Sequence, residues 1–153
     1  MSLLLKIGDQ EVQGKPSFAF LKHADANYGT FQEQTGKMVN GLANILTGIV
    51  DGDIQAVAQY WDCATAHLAK KGKPTIEQIE QALEDRIEED GDTEPLLKEI
   101  YKEISESGFF KKTVKNFWND IELMNEFGKT EEEKAQNKLA YEQTLKKKAE
   151  IEA

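Results

Sequence analysis

The sequence predicts a mainly α-helical protein: a compact helical domain with a short N-terminal β-hairpin and a projecting C-terminal helix. Three observations lead to this prediction. Apolar residues recur every three or four positions along most of the chain after residue 16, which is the period of an amphipathic helix. The first fifteen residues instead alternate with the period of a strand. Ser, Thr or Asp residues stand before most of the apolar stripes and Gly residues after them, which is typical of helix starts and stops.

The predicted hairpin spans residues 1–15. Leu3, Leu5 and Ile7 fall on one face of its first strand. Gly8-Asp9 suits a two-residue turn because Gly reaches positive φ without strain. An isolated hairpin is only marginally stable in water, so we expect this one to pack against the helices.

Three helices are predicted next, with a polar connector at residues 30–36 between the first and the second. Ser17 and Asp53 suit the N-caps of the first and third helices, and Gly29 and Gly52 suit the ends of the first and second. The predicted apolar faces are, in chain order, Phe18, Leu21, Ala24 and Tyr28; Met38, Leu42, Ile45, Leu46 and Ile49; and Ile54, Val57, Ala58, Trp61, Ala64 and Leu68.

The fourth predicted helix has the clearest start signal. Thr75 follows Pro74 and precedes Gln78 by three positions, which is the pattern of a capping box. Thr93 is the predicted N-cap of a fifth helix that ends near Gly108. Beside the apolar stripe of the fourth helix lies a row of glutamates at helical spacing, which we name the acidic ridge: Glu77, Glu80, Glu84 and Glu88. A solvated helix face explains this row better than a catalytic carboxylate pair does.

Residues 109–127 form an aromatic segment that admits two interpretations. Its large apolar residues have helical spacing, which fits an ordinary core helix. Exposed aromatic stripes also mark interaction surfaces, so a docking face is the alternative interpretation of this segment. The residues predicted for that face are Phe109, Phe110, Val114, Phe117, Trp118 and Ile121.

A final helix is predicted from Thr130, with glutamates in its first turn and lysines near its end, as the helix dipole favours. Its only large aliphatic residues are Leu139, Leu145 and Ile151. We therefore divide the chain into a helical domain at 1–127 and an extension at 128–153. The extension is expected to project, to fray, or to lie on a partner.

Charge and composition exclude several classes of function. The chain has 28 acidic and 19 basic residues, and the net charge of −9 is carried by residues 77–106 alone, with twelve acidic and three basic residues. General nucleic-acid binding needs clustered Lys and Arg, and anionic membranes repel such a surface. The single cysteine, Cys63, excludes a disulfide within the chain, and no apolar run is long enough to span a bilayer. The expected compartment is the cytoplasm.

No pattern of catalytic or metal-binding residues stands out. Cys63 and His67 lie four positions apart and are predicted to share a helix face, but a structural zinc site needs four ligands. A buried Cys and a half-exposed His are the more ordinary interpretation. Asp-Gly-Asp occurs at 51–53 and at 90–92, where turn chemistry explains it. We therefore expect no catalytic residue, no metal and no cofactor, and the chain is predicted not to be an enzyme.

Several short segments occur in an order that resembles a known protein family, over roughly residues 3–125. After the N-terminal strand pair come Asn27-Tyr28-Gly29, Val50-Asp51-Gly52-Asp53, Tyr60-Trp61 and Ala64-Thr65, Lys73 to Glu80, Glu103 to Ser107, and Lys111-Lys112. In this order and spacing the chain resembles the tail assembly chaperones of long-tailed bacteriophages that infect Gram-positive bacteria. The high content of aromatic residues at 109–127 and the segment after Thr130 are not part of the shared pattern.

The resemblance implies a function. Proteins of this kind coat the tape-measure protein, keep its hydrophobic helices soluble and help to bring tail-tube subunits to it. They act in the cytoplasm of the bacterial host, leave before the virion matures, and are not enzymes. The implied partners are thus the tape-measure protein, the tail-tube protein and possible further copies of the chain, but neither nucleic acid nor a membrane.

The predicted contact surfaces follow from the residues. We expect the aromatic face of 109–127 or the apolar face of 38–68 to contact the client or a neighbouring subunit, as in helix-in-groove recognition. We expect the acidic ridge to steer lysine-rich client segments. Two other classes stay open: an acidic helical adaptor that mimics DNA, and an enzyme with an unrecognised site.

Overall fold

The structure is a computed structural model that describes residues 3–153. These residues form two β-hairpins and seven α-helices. The strands are β1 (Leu4–Ile7), β2 (Gln10–Gln13), β3 (Thr30–Gln32) and β4 (Lys37–Val39). The helices are α1 (Phe18–Tyr28), α2 (Gly41–Val50), α3 (Ile54–Ala64), α4 (Ile76–Asp90), α5 (Glu94–Glu106), α6 (Lys111–Met124) and α7 (Glu131–Glu152). A short 3-10 turn, Ala66–Leu68, follows α3. The mainly α fold with an N-terminal hairpin is confirmed.

The N-terminal hairpin has the predicted turn. β1 pairs antiparallel with β2, Ile7 stands opposite Gln10, and Gly8 has a φ of 60° in the two-residue turn between them. Leu5 is buried, as its place on the inner face predicts. The Lys15 amide donates to the Ala64 carbonyl at 2.8 Å and ties the hairpin to the end of α3. Residues 1 and 2 of the predicted hairpin lie outside the described residues.

The predicted polar connector at 30–36 is wrong, because a second hairpin occupies this region. β3 and β4 pair antiparallel, with Phe31 opposite Met38, and both side chains are exposed. Met38 therefore belongs to a strand and not to the second helix. The three-residue strands are too short for alternation to be recognised from sequence. Asn40, with a φ of 65°, turns the chain into α2.

The core is built around α2 and α3. Ile45, Leu46 and Ile49 of α2 are fully buried, and so is Val57 of α3. In α1 the buried residues are Phe20 and Ala24, whereas Phe18, predicted to face inward, is 72% exposed. The difference arises because Phe20 packs between the rings of Tyr60 and Phe110, which lie far away in the sequence.

The starts of α4 and α5 differ in kind. The capping box of α4 is present, since the Gln78 amide donates to Thr75 Oγ1 at 3.1 Å and the Thr75 amide donates to Gln78 Oε1 at 2.9 Å. Thr93 makes no side-chain cap, so its predicted role is wrong. Asp92 Oδ1 instead accepts from the Glu94 amide at 3.0 Å. An aspartate side chain can reach the amide two positions after it, and here it satisfies a free donor at the start of α5.

The C-terminal helix is present where the sequence predicts it, with Thr130 as its N-cap, but it does not project. It lies against α2, α5 and α6, and Ile151 packs against the core. The sparse aliphatic content of α7 led to the expectation of projection; polar contacts from its last turns hold it instead. The division at residue 127 stays a prediction. Among the helices of residues 3–153, none is both long enough and apolar enough to cross a membrane.

A candidate binding groove between α2, α6 and α7

A groove of about 710 Å³ separates α7 from the surface formed by α2 and α6. We name it the α7 groove. α2 and its flanks contribute Asn40, Ala43, Asn44, Thr47, Val50 and Asp51; α6 contributes Thr113, Asn116, Phe117, Asp120, Ile121 and Met124; and α7 contributes Asn137, Ala140, Tyr141 and Thr144. Its volume falls in the range of ligand-binding clefts in proteins.

The lining combines an apolar side with uncharged polar groups. Phe117 and Ile121 are half-buried, while Met124 is 55% exposed. Asn and Thr side chains of all three helices surround them. Among the described residues that line the groove, the charged ones are Asp51 and Asp120, and both are acidic. The groove therefore suits an apolar helix face that carries basic residues beside it.

Contacts at the C-terminal end of α7 attach this helix to the end of α2, to α5 and to α6. Lys147 Nζ lies 3.0 Å from Asp51 Oδ1, and Lys148 Nζ lies 4.9 Å from the centre of the Trp118 ring. The Tyr101 hydroxyl donates to Glu152 Oε2 at 2.7 Å. Burial and this hydrogen bond to a carboxylate raise the pKa of Tyr101 to about 12. The tyrosine therefore stays a donor over the whole physiological pH range.

The predicted docking residues of the aromatic segment do not share one face. Phe117 and Ile121 line the α7 groove, and Val114 and Trp118 pack partly against the core. Phe109 lies before α6 and meets the exposed Phe18 ring edge to face, with centroids 5.3 Å apart. Phe110 is fully buried against Phe20. Its side chain has no surface to offer a partner in this conformation, so we remove it from the predicted docking face. The docking role of the others stays a prediction.

All four glutamates of the acidic ridge are exposed along α4. α4 packs against α3 and β1, so the ridge does not line the α7 groove. Arg86 is the cation beside it, and its guanidinium lies 2.8 Å from Asp90 and 3.1 Å from Glu99. Burial alone would lower the pKa of Arg86, but these two carboxylates outweigh it and raise the pKa. The four ridge glutamates have no basic partner among the ion pairs of residues 3–153, so their charge is available to solvent.

Sequence reasoning missed a polar cluster at the side chain of Asp62. Lys73 Nζ lies 2.7 Å from Asp62 Oδ1, while the Tyr28 hydroxyl and His23 Nε2 each lie 2.7 Å from Oδ2. Burial alone would raise the pKa of Asp62, but the three hydrogen bonds outweigh it and hold the pKa below its usual value. The four residues come from α1, α3 and the loop before α4, so no short-range spacing connects them.

Cys63 and His67 do not form a site. Cys63 is buried in α3, and burial raises the pKa of its thiol above the ordinary range. His67 is exposed in the 3-10 turn, beyond the end of α3. Within residues 3–153 no group of three or more His, Cys, Asp or Glu side chains is placed to hold a metal ion.

An open groove between helices with an apolar side is a setting that can receive an amphipathic helix. A known protein family matches the chain. The sequence model of the family described as "Phage tail assembly chaperone protein, TAC" matches residues 4–119, which is more than half of the 153-residue chain. The chain therefore belongs to the phage tail assembly chaperone family. No curated protein and no solved structure matches it.

Family membership bears on the sequence predictions in part. The predicted tail assembly chaperone class is confirmed, and a chaperone role favours the prediction that the chain is not an enzyme. The match ends within α6, so α2 and most of α6 lie inside it and α7 lies beyond it.

Proposed function

We propose that this tail assembly chaperone binds the tape-measure protein of a long-tailed phage that infects Gram-positive bacteria. It keeps the amphipathic helices of this client soluble in the host cytoplasm and helps to recruit tail-tube subunits. It leaves before the virion matures. The observation that carries the proposal is the α7 groove, whose apolar side and acidic charges complement an amphipathic helix with basic residues, in a chain that belongs to the chaperone family.

Co-expression tests the proposal directly. The chain is produced together with the tape-measure protein of the same genome, and the complex is purified through a tag on the chain and measured by light scattering. We expect a soluble complex with several copies of the chain per tape-measure protein. A tape-measure protein that stays insoluble while the chain elutes alone would overturn the proposal and favour the acidic adaptor.

Two adjacent residues of α6 give a matched test of the groove. Met124 lines the groove and is 55% exposed, while Leu123 does not line it and is 52% exposed. Neither side chain is buried, so both variants should fold. Met124→Asp places a charge on the apolar side and is expected to lower the yield of co-purified client about tenfold. Leu123→Asp is expected to leave it unchanged, and equal losses from both variants would exclude the groove as the client site.

Recruitment of the tail tube is tested separately. The tail-tube protein is added to the purified chain alone and to the purified complex. We expect capture by the complex, since the proposed role is to bring tube subunits to the tape-measure protein. Failure of both to capture it would remove recruitment from the proposal without affecting client binding.

A further inference from the structure

The side-chain contacts of α7 with α2, α5 and α6 described above lie near its C-terminal end, whereas residues in its middle line the α7 groove. At its C-terminal end are the Lys147–Asp51 ion pair, the Lys148–Trp118 contact and the Tyr101–Glu152 hydrogen bond. Its middle, from Asn137 to Thr144, lines the α7 groove. A second cavity, of about 230 Å³, lies beneath the C-terminal end, where Glu150 and Ile151 face α2 and α5. No residue of α7 is fully buried.

The connection between α6 and α7 is short and contains one glycine. α6 ends at Met124 and α7 begins at Glu131. Between them Gly128 has a φ of 143°, a value that residues with a side chain rarely adopt. Asn137 of α7 donates to the Phe127 carbonyl at 2.6 Å, so one exposed hydrogen bond spans Gly128 and must break before α7 can swing away about this glycine.

Apart from the packing of the half-buried Ile151 against the core, these contacts are few for a helix of 22 residues. Exposed ion pairs and cation–π contacts are individually weak, and a Lys- and Glu-rich helix is marginal when detached. The surface below α7 is different in kind. It is formed by α2 and α6; the family match covers α2 and α6 up to residue 119, whereas the lining residues Asp120, Ile121 and Met124 and the whole of α7 lie beyond it.

We propose that α7 is a removable strap over the α2–α6 surface, and that a basic amphipathic helix of the client takes its place. The inference rests on the proposed function for the identity of that client. Charge argues for this occupant, since the lining charges Asp51 and Asp120 are acidic and α7 itself meets Asp51 with a lysine. An incoming helix with Lys or Arg over these carboxylates reproduces the contact that it displaces.

Three full-length chains test the strap: the wild type, the anchor variant Lys147→Ala with Lys148→Ala, and the control Lys146→Ala. Lys146 is exposed on the same helix and makes none of the ion pairs found in residues 3–153. Alanine is a better helix former than lysine, so lost helix propensity cannot explain an effect. The measurement is amide hydrogen exchange read by mass spectrometry.

We expect the anchor variant to exchange the amides of α7 about tenfold faster than the wild type, with α2 to α5 unchanged. The control is expected to exchange like the wild type. Unchanged exchange in α7 would overturn the strap, and so would an equal rise throughout α2 and α5, since α7 would then be an integral part of the core.

The second measurement uses the chain's own helix as the probe. A fluorescent synthetic peptide with the sequence of residues 131–152 is titrated with the three chains. We expect about tenfold tighter binding to the anchor variant than to the wild type or the control, because the weakened strap vacates the surface. Equal affinities, or no binding to the anchor variant, would overturn the strap.

The strap and the proposed function fail in different ways. Exchange and peptide binding need no tape-measure protein. If α7 opens as expected but the client does not co-purify, the proposed function is overturned and the strap stands. If the client co-purifies while α7 exchange and peptide binding do not respond to the anchor variant, the strap is overturned and the function stands.

Discussion

The carboxylate of Asp62 joins three parts of the chain that lie far apart in the sequence. It accepts hydrogen bonds from α1 through Tyr28 and His23 and pairs with Lys73 in the loop before α4. Its side chain is 15% exposed and that of Lys73 is 20% exposed, so solvent screens the pair little. Removing the negative charge would leave the lysine partly buried without its partner, which costs more than losing an exposed ion pair.

We expect Asp62→Asn to lower the free energy of unfolding by about 2 kcal/mol near neutral pH. The folded-state pKa of Asp62 is lowered, so its stabilisation is present above the unfolded-state pKa of about 3.9 and is lost as the pH falls through the folded-state value. Urea unfolding of both chains should therefore show a difference at pH 7 that shrinks in strong acid. Asp85→Asn on the exposed side of α4 is the control. A difference independent of pH would contradict the assignment.

Gly41 is required by a close approach of two helices. A Cβ atom at this position would collide with the backbone carbonyl of Ala24 and would lie 2.6 Å from the Asp25 nitrogen. The Gly41 amide also donates to Asp25 Oδ1 at 2.9 Å. The start of α2 therefore rests on the backbone of α1 with no space for a side chain.

We expect Gly41→Ala to cost about 3 kcal/mol of stability, because backbone atoms cannot give way as a flexible side chain would. Gly108→Ala is the matched control, since a Cβ there would meet no atom within 4 Å. The control should change stability by less than about 0.5 kcal/mol. Thermal or urea unfolding measures both, and equal effects would show that the close approach is not limiting.

The neighbouring helices α4 and α5 both follow a threonine, but the two threonines have different roles. Thr75 completes a reciprocal capping box, whereas Thr93 makes no cap and Asp92 supplies the acceptor.

Replacing each threonine by alanine separates these roles. Thr75→Ala is expected to lower the free energy of unfolding by about 1 kcal/mol through the loss of a cap, and Thr93→Ala by much less. Chemical unfolding provides the measurement. A larger loss at Thr93 than at Thr75 would contradict the observed pattern of hydrogen bonds.

Over the whole molecule, charge and apolar surface are separated. The acidic ridge lies on α4, away from the groove formed by α2, α6 and α7. Residues 77–106 carry the entire net charge of −9. Under the proposed function, we expect a surface charged in this way to attract basic client segments over about a Debye length, while the groove supplies contact area.

We expect the conversion of the four ridge glutamates to glutamine to slow client association about tenfold at low salt, with no difference at high salt. Surface plasmon resonance at several salt concentrations measures this. The control spreads the same change in charge over exposed glutamates elsewhere: Glu11, Glu33, Glu126 and Glu142. An equal effect of both sets would assign the steering to net charge and not to the ridge.

The helices and their starts were accessible from sequence because their signals are local. A cap such as Thr75, or a stripe such as that of Ile45 and Ile49, lies within a few residues along one element. The family resemblance rests on the order of such segments, and the family match over residues 4–119 confirms its class.

The remaining features could not be predicted from the sequence, because they join residues that lie far apart along the chain. The bonds of Asp62 join residues up to 39 positions apart, and the Lys147–Asp51 pair joins residues 96 apart. Whether Phe110 is core or surface depends on Phe20, and whether α7 projects depends on α2, α5 and α6. Sequence alone thus determined the helices, the N-caps of α1, α3, α4 and α7 and the location of the acidic charge, since each follows from neighbouring residues. The groove, the Asp62 cluster and the packing of α7 depend on tertiary structure, because packing decides which distant side chains meet.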